Sequence, residues 1–261
     1  MTATKRTRLD TLLVSRGLVE SREKARALIL AGKVTVAGRP SAKAGTTLPS
    51  DAEVQVAMPD QPWVSRGGVK LDFALDSFAI DVSGRLALDI GASTGGFTDV
   101  LLSRGARRVI ALDVGHNQLH WRLRTDDRVT VIEKINARHL TREQIAELGD
   151  GAGIVTIDVS FISLRHIFPA VPALLAADAD VVALVKPQFE AGRDDVGRGG
   201  LVTDTAVHER VLHEVSTAAA RVGLARIAMI ESPITGAEGN HEFLMHLRVH
   251  PSAAVTMREP R

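Results

Sequence analysis

From residue 65 onward, short apolar segments recur with room for a helix or loop between them, and this alternation limits the possible folds more than any other feature. The segments span 86–90, 109–114, 129–132, 154–158, 181–186, 225–230 and 243–249. Runs this rich in Val, Ile, Leu and Ala suit strands buried on both faces, so they predict a mostly parallel sheet of seven strands covered by helices, an α/β architecture. A helix over 68–78 precedes the first strand, because residues 71, 74, 75 and 78 are apolar at helical spacing, with Lys70 beside that stripe. Pro169 and Pro172 predict that the helix over 161–177 is broken.

The first strand runs directly into glycines: Leu88, Asp89, Ile90, Gly91, Ala92, Ser93, Thr94, Gly95, Gly96, Phe97. A strand, a glycine turn and a helix in that order make a corner that holds a nucleotide-like ligand against the helix N-terminus. The turn lacks the Gly-x-Gly-x-x-Gly spacing of dinucleotide binders, and Phe97 stands where a phosphate loop needs Lys, which disfavours NAD and ATP. A ligand with an adenosine and an amino-acid tail but no phosphate, such as S-adenosylmethionine, fits better. Contacts to it are expected from Gly91, Ala92, Ser93, Gly95, Gly96 and Phe97, with Asp89 either ordering the loop or meeting the ligand's ammonium. Asp113 ends the second strand about twenty residues after the glycines, where ribose recognition places a carboxylate. An acid there also reads as a helix cap, but its position at the end of an apolar strand favours the ligand. Asn136, after the third strand, is an expected adenine-side contact.

Ligands of open α/β sheets sit at the carboxyl ends of the strands, which places four charges. Asp158 ends the fourth strand and also faces the cofactor side; Lys186 ends the fifth, where Pro187 stops the ladder. If the last strand runs antiparallel, Glu242 at its start shares that rim, and Lys70 comes from the preceding helix. Any one of these reads alone as a surface charge; four converging on one edge read as a reaction centre.

Composition narrows the partners. The chain has no Cys, which excludes disulfides, thiolate metal ligands and a cysteine nucleophile, and no metal site is expected. No apolar run is long enough to cross a bilayer and no secretory signal is visible, so a cytoplasmic location is expected. The net charge of +1 conceals an asymmetry: residues 1–44 hold 10 Lys or Arg against 3 Asp or Glu, the remainder 22 against 28. A basic front joined to a mildly acidic body points to a polyanion at the front. There Leu9, Leu12, Leu13 and Leu18 form one helical stripe, a second helix starts at Ser21 and stops at Gly32, and short strands follow at 34–36 and 54–56 around a turn over 37–40. Arg22 and Arg26 lie one helical turn apart, with Lys33 and Arg39 beyond. A solvated helix face is the plain reading, but the positive excess is unbalanced by nearby acids, which favours phosphate contact.

Arg8, Leu9, Asp10, Leu12, Leu13, Arg16, Gly17, Leu18, Ser21, Arg22, Ala25, Leu28, Ile29, Gly32, Val34, Val36 and Gly38 together resemble the S4 RNA-binding module. Ser65 to Leu71, Asp89 to Thr98, Asp158 to Ser163 and Lys186 to Glu190 resemble the FtsJ-type RNA 2′-O-methyltransferases, and the whole chain is similar to the TlyA family. Thr94 departs from the broader FtsJ pattern, which often has Pro, and fits the TlyA-like subgroup. The resemblance implies a small N-terminal S4-like domain over 1–59, a linker over 60–64 and a Rossmann-like methyltransferase domain over 65–261. It also implies S-adenosylmethionine as cofactor, cytidine 2′-O-methylation of ribosomal RNA in one or both subunits, and Lys70, Asp158, Lys186 and Glu242 as catalytic residues. Arg8, Arg16, Arg22, Arg26, Lys33, Arg39 and Arg66 are the expected RNA contacts, and the protein is expected to act on ribosomal subunits as a monomer, away from membranes.

Chemically, Lys186 is the expected proton acceptor; Lys70 and the sulfonium push it toward the neutral amine, while Asp158 and Glu242 orient it. An extruded base would stack on Phe161, Phe189 or Trp121, unless these belong to the core. The glycine-rich stretch 191–200 reads as a loop that orders over RNA or as a plain connector. Trp63 either docks one domain on the other or belongs to a core. Two other functions stay open on the residues alone: a membrane-active haemolysin, testable by liposome leakage, and a catalytically silent assembly factor, testable by methyl-label transfer.

Overall fold

The computed structural model describes residues 6–249 apart from 17, 20, 42, 57–61 and 237. Gly17, residues 60 and 61 of the expected linker and the tail from His250 therefore lie outside the described residues. The chain parts into two compact units between Pro62 and Trp63.

In the first unit, strand β1 (Arg6–Arg8) leads into helices α1 (Leu9–Ser15) and α2 (Arg22–Leu30), followed by β2 (Val34–Val36), β3 (Arg39–Pro40), β4 (Thr47–Pro49) and β5 (Val54–Val56). Leu9, Leu13, Ala25, Ile29 and Val34 form its core, as the leucine stripe predicts. β2 lies between β3 and β5, and β1 pairs with β4, all antiparallel. Ala37 and Gly38 take positive φ values of 47° and 74°, closing a two-residue hairpin, so Arg39 and Pro40 belong to a strand rather than to the expected turn. β1 and β4 are too short, at three residues each, to show any periodicity in sequence.

One acid organises the basic residues here. Asp10 is wholly buried and accepts Arg8 Nε at 3.0 Å and Nη2 at 2.9 Å, Arg22 Nη2 at 3.3 Å and Arg26 Nε at 3.2 Å. These guanidiniums, Arg8 foremost, hold its carboxyl well below the usual carboxylate range against the cost of burial. The expectation that no acid balances this positive cluster is corrected. Three half-exposed arginines share one hidden counter-charge.

The second unit opens with α3 (Gly67–Ser77) and continues through β6 (Leu86–Ile90), α4 (Gly96–Ser103), β7 (Arg108–Asp113), α5 (Trp121–Arg124), β8 (Val129–Glu133), β9 (Ala152–Ile157), β10 (Leu175–Val185), α6 (Pro187–Glu190), α7 (Thr205–Arg221), β11 (Leu224–Glu231) and β12 (Phe243–Val249). The seven strands line up β11-β12-β10-β9-β6-β7-β8, with β12 antiparallel to both of its neighbours. Leu88 and Ile90 face one core with Ile110, Val155 and Phe168, whereas Ala87 faces the other with Leu71, Leu75 and Val100. Trp63 packs against that second core and stands directly over Gly68, where a Cβ would fall 2.3 Å from its ring.

Two expectations change. The connection between β9 and β10 consists of 3-10 turns at Leu164–His166, Phe168–Ala170 and Pro172–Leu174, because Pro169 and Pro172 cannot donate to a continuing α-helix. β10 starts at Leu175, six residues before the expected strand; its first residues lack β-branched side chains, and pairing of Leu175 with Ala152 extends it.

Two buried carboxylates respond oppositely to pH. Asp180 on β10 lies 2.7 Å from each of Arg85 Nη1, His246 Nε2 and Arg248 Nε, and these partners hold it well below the usual range despite its burial. Asp89 on β6 is fully buried among neutral donors, accepting Thr98 Oγ1 at 2.7 Å, Thr156 Oγ1 at 2.9 Å and the Thr98 backbone. Burial pushes it up to about 6, the two hydroxyls opposing and the Asp158 charge adding to the rise. Because its folded value is depressed, Asp180 stabilises the fold above about pH 4 and loses that contribution in acid. The stability due to Asp89 is complete below about pH 4 and is lost as pH rises through about 6. In thermal unfolding scans, Asp180→Ala is expected to cost about 1–3 kcal/mol at pH 7, by leaving His246, Arg85 and Arg248 without their shared buried acceptor. Asp89→Asn is expected to flatten the decline of the unfolding midpoint between pH 4 and 6; an unchanged decline would show that other groups cause it.

Candidate active site

The register of the sheet builds the site. Val185 lies opposite Phe243 in the β10–β12 ladder, so Lys186 and Glu242 both stand one step beyond the same pair. Ile157 pairs with Ile90, so Asp158 and Gly91 leave β9 and β6 side by side. There a Cβ on Gly91 (φ 85°) would fall 2.4 Å from the Asp158 carbonyl oxygen, a contact no side chain tolerates. Lys70 arrives from α3, whose start crosses the start of α4 so closely that a Cβ on Gly96 would lie 2.8 Å from Gly68 N.

All four expected charges border one cavity of about 510 Å³, lined also by Ser65, Arg66, Ser160, Gln188 and Phe189. Lys70 Nζ is bonded to Glu242 Oε2, both nearly buried. Lys186 Nζ lies 2.5 Å from Asp158 Oδ1, but its directed hydrogen bond goes to Ser160 Oγ at 3.0 Å. The Lys186–Asp158 contact is thus an ion pair without hydrogen-bond angles, and the buried Asp158 Oδ1 has no donor among the described residues. Four ionisable groups in two pairs, with one acceptor unsatisfied, can orient a hydroxyl and receive its proton.

A second cavity of about 440 Å³ shares Gly91, Ser93, Asp158, Ser160 and Phe161 with the first. Leu112, Val114, Ile135, Ala137, Ile162 and Ile167 give it apolar walls, and Asp113, Gln118 and Asn136 supply polar groups. Asp113 is fixed by Ser93 N–H at 2.8 Å and Gly115 N–H at 2.7 Å. A carboxylate has about four acceptor directions, so this leaves capacity for sugar hydroxyls. Apolar walls with a carboxylate at one end have the chemistry an adenosine requires.

Gly91, Ala92, Ser93, Gly96 and Phe97 line the reaction cavity, but two expected cofactor residues line neither cavity. Asp89 is buried behind the turn, where it ties β6 to α4 and β9 through Thr98 and Thr156; its position is that of a loop-ordering residue. Gly95 (φ 97°) caps α4, and its missing Cβ makes room for Leu119 and Leu123. Phe161, at φ 62° and 91% exposed, stands where the cavities meet, its ring 5.1 Å from that of Phe189. Trp121 is exposed but borders neither cavity. The stretch 191–200 is fastened by Arg210 to Asp195 at 2.5 Å and by Asn240 Nδ2 to the Gly200 carbonyl at 2.9 Å.

Among the expected RNA contacts, Arg66 lines the reaction cavity, Lys33 and Arg39 are exposed, and Arg8, Arg22 and Arg26 gather on Asp10. Arg16 instead donates to the Ala52 and Ser50 carbonyls at 2.8 and 2.5 Å, a structural task that sequence spacing cannot reveal. Sequence reasoning missed Ser160 and Gln188, although each lies within a motif next to a singled-out residue.

Residues 63–249 match the FtsJ-like methyltransferase family and residues 7–54 the S4 domain. The chain is 46% identical over 256 residues to the 16S/23S rRNA (cytidine-2′-O)-methyltransferase TlyA of Mycobacterium tuberculosis, covering 97% of this chain and 94% of that one. It is 42% identical to Hemolysin A of Brachyspira hyodysenteriae, covering 92% of this chain and 98% of the relative. A solved structure of a Streptococcus thermophilus protein that carries a hemolysin name is 43% identical, with a TM-score of 0.74 over 95% of this chain and 90% of that one. With a rim of paired charges beside a cavity of apolar walls, and both family matches in place, the chain belongs to the TlyA family, in which an S4 domain is joined to an FtsJ-like methyltransferase domain.

Proposed function

We propose that this protein methylates the 2′ oxygen of a cytidine ribose in ribosomal RNA of the small subunit, the large subunit or both. The observation that carries the reading is the shared border of the two cavities, which supports a donor held at Gly91 and Asp113 presenting its methyl group toward Lys186 and Asp158. S-adenosylmethionine, when bound there, supplies a methyl group on a positive sulfonium. The walls of the second cavity hold its adenine, Asp113 accepts its ribose hydroxyls, and the bare backbone at Gly91 permits close approach.

Lys186 receives the proton of the ribose hydroxyl. An ammonium has no lone pair, so Lys186 serves as the neutral amine and sheds one proton before each transfer. Asp158 and Ser160 aim its Nζ, and Glu242 holds Lys70 at the same rim. Phe161 offers its exposed ring to the extruded base, since a nucleotide stacked in a helix cannot present its 2′ oxygen to this pocket. Arg66 meets backbone phosphate near the reacting sugar, while Arg8, Arg22, Arg26, Lys33 and Arg39 grip phosphates elsewhere on the substrate. Among the described residues no helix is long and apolar enough to cross a membrane. We place the protein in the cytoplasm, acting on ribosomal subunits as a monomer.

Transfer of label from methyl-labelled S-adenosylmethionine to ribosomal RNA tests the reading, and absence of ribose label on both subunits would end it. Lys186→Ala is expected to lower the transfer rate by about 10² to 10⁴-fold while calorimetry finds cofactor affinity nearly intact; full activity would remove Lys186 from the mechanism. Arg22→Ala and Arg26→Ala are each expected to weaken RNA binding and to reduce the slope of log affinity against log salt by about one. An unchanged slope would place that arginine off the phosphates.

A further inference from the structure

The two segments that leave the catalytic rim are tied together again a few residues later. Glu190, the last residue of α6, is almost wholly buried and accepts Leu164 N–H at 2.7 Å on Oε1 and the Ser163 hydroxyl at 2.5 Å on Oε2. Arg165 covers the tie, donating to the Glu190 carbonyl at 2.6 Å and to Ser163 Oγ at 3.1 Å. Upstream, the same two segments are joined by the β9–β10 ladder, where Ile157 lies opposite Ala183. Residues 158–163 and 186–190 are therefore fastened at both ends. Between the fastenings lie the Lys186–Asp158 ion pair, the Lys186–Ser160 hydrogen bond and the Phe161–Phe189 ring contact.

This arrangement needs an external hold. Phe161 at φ 62° sits in a region that costs a bulky residue on the order of 1–3 kcal/mol and persists only where the surroundings impose it. Glu190 itself is a costly choice for a strut, since burial pushes its carboxyl up from the ordinary value while Ser163 and the Leu164 N–H oppose that rise. Glu190 is not among the residues lining the cavity around Lys186.

On the function proposed above, we infer that Glu190 is a positioning residue for methyl transfer: it clamps the 158–164 loop to α6 and so fixes the direction in which Asp158 and Ser160 aim Lys186. A displacement of about 1 Å at a reacting group can cost up to about 100-fold in rate, which sets the scale of the effect. Gln at this position keeps the acceptor for Leu164 N–H and the shape of the side chain, whereas Ala loses both ties.

The test compares single-turnover methylation rates, calorimetric affinity for S-adenosylmethionine and unfolding midpoints for the full chain and four variants. Glu190→Ala is expected to slow transfer at least about tenfold with cofactor affinity unchanged. Glu190→Gln is expected to recover most of the rate, and Ser163→Ala, which removes one tie, to fall between; that variant decides the matter if Glu190→Ala does not fold. Glu214→Gln, which alters only the exposed partner of Arg165 and Arg210, is expected to match the wild type. A folded Glu190→Ala with full rate, or a Glu190→Gln as slow as Glu190→Ala, would overturn the inference. A wild-type protein that transfers no methyl group would overturn the underlying function instead, and this inference with it.

Discussion

The reversed direction of β12 is the constraint on which the site depends. In an all-parallel sheet the residue before the last strand would lie at the amino edge, far from the ends of β9 and β10. Because β12 enters between β10 and β11 from the opposite direction, the residue just before it, Glu242, stands level with Lys186 at the carboxyl rim, where it holds Lys70. The ladder does this work with backbone hydrogen bonds, which fix register far more tightly than four flexible charged side chains could fix one another. The charges are added to a rim whose spacing is already set.

Within that rim the charges balance: two lysines face two carboxylates, each pair nearly removed from water. Such pairs contribute little net stability, because desolvation offsets most of their attraction, and they are better understood as a means of direction. The departure of Lys186 and Asp158 from hydrogen-bond geometry supports this, since the amine's directed bond goes to Ser160 while Asp158 Oδ1 holds it by charge. The neighbouring nucleoside cavity has the opposite character, with apolar walls and a single carboxylate held by two backbone donors. One cleft therefore joins a region that grips by shape to a region that acts by charge.

Much of this was legible in the sequence, and for identifiable reasons. Buried parallel strands show as apolar runs, and a glycine that must let a carbonyl approach to within Cβ distance shows as a glycine, so the sheet and the Gly91 turn were readable. The tetrad followed from where strands end. What stayed hidden depends on partners distant in the chain. Arg16 looks like a free cation until Ser50 and Ala52 present their carbonyls. Asp10 looks like a helix acid until three arginines close over it, and Asp89 looks exposed to ligand until Thr98 and Thr156 enclose it. The 3-10 turns between β9 and β10 replaced an expected helix because a broken helical pattern does not say what replaces it.

The cluster on Asp10 has a consequence for how the first unit meets a polyanion. A long arginine side chain loses up to about 2 kcal/mol of rotational freedom when it is fixed, and normally that loss falls at the moment of association. Here Arg8, Arg22 and Arg26 are already steered by one carboxylate while about half of each remains in solvent, so much of the ordering belongs to folding. A polyanion brought to this face would meet a preset fan of cations rather than three independent tethers, and the effects of deleting them singly would not simply add.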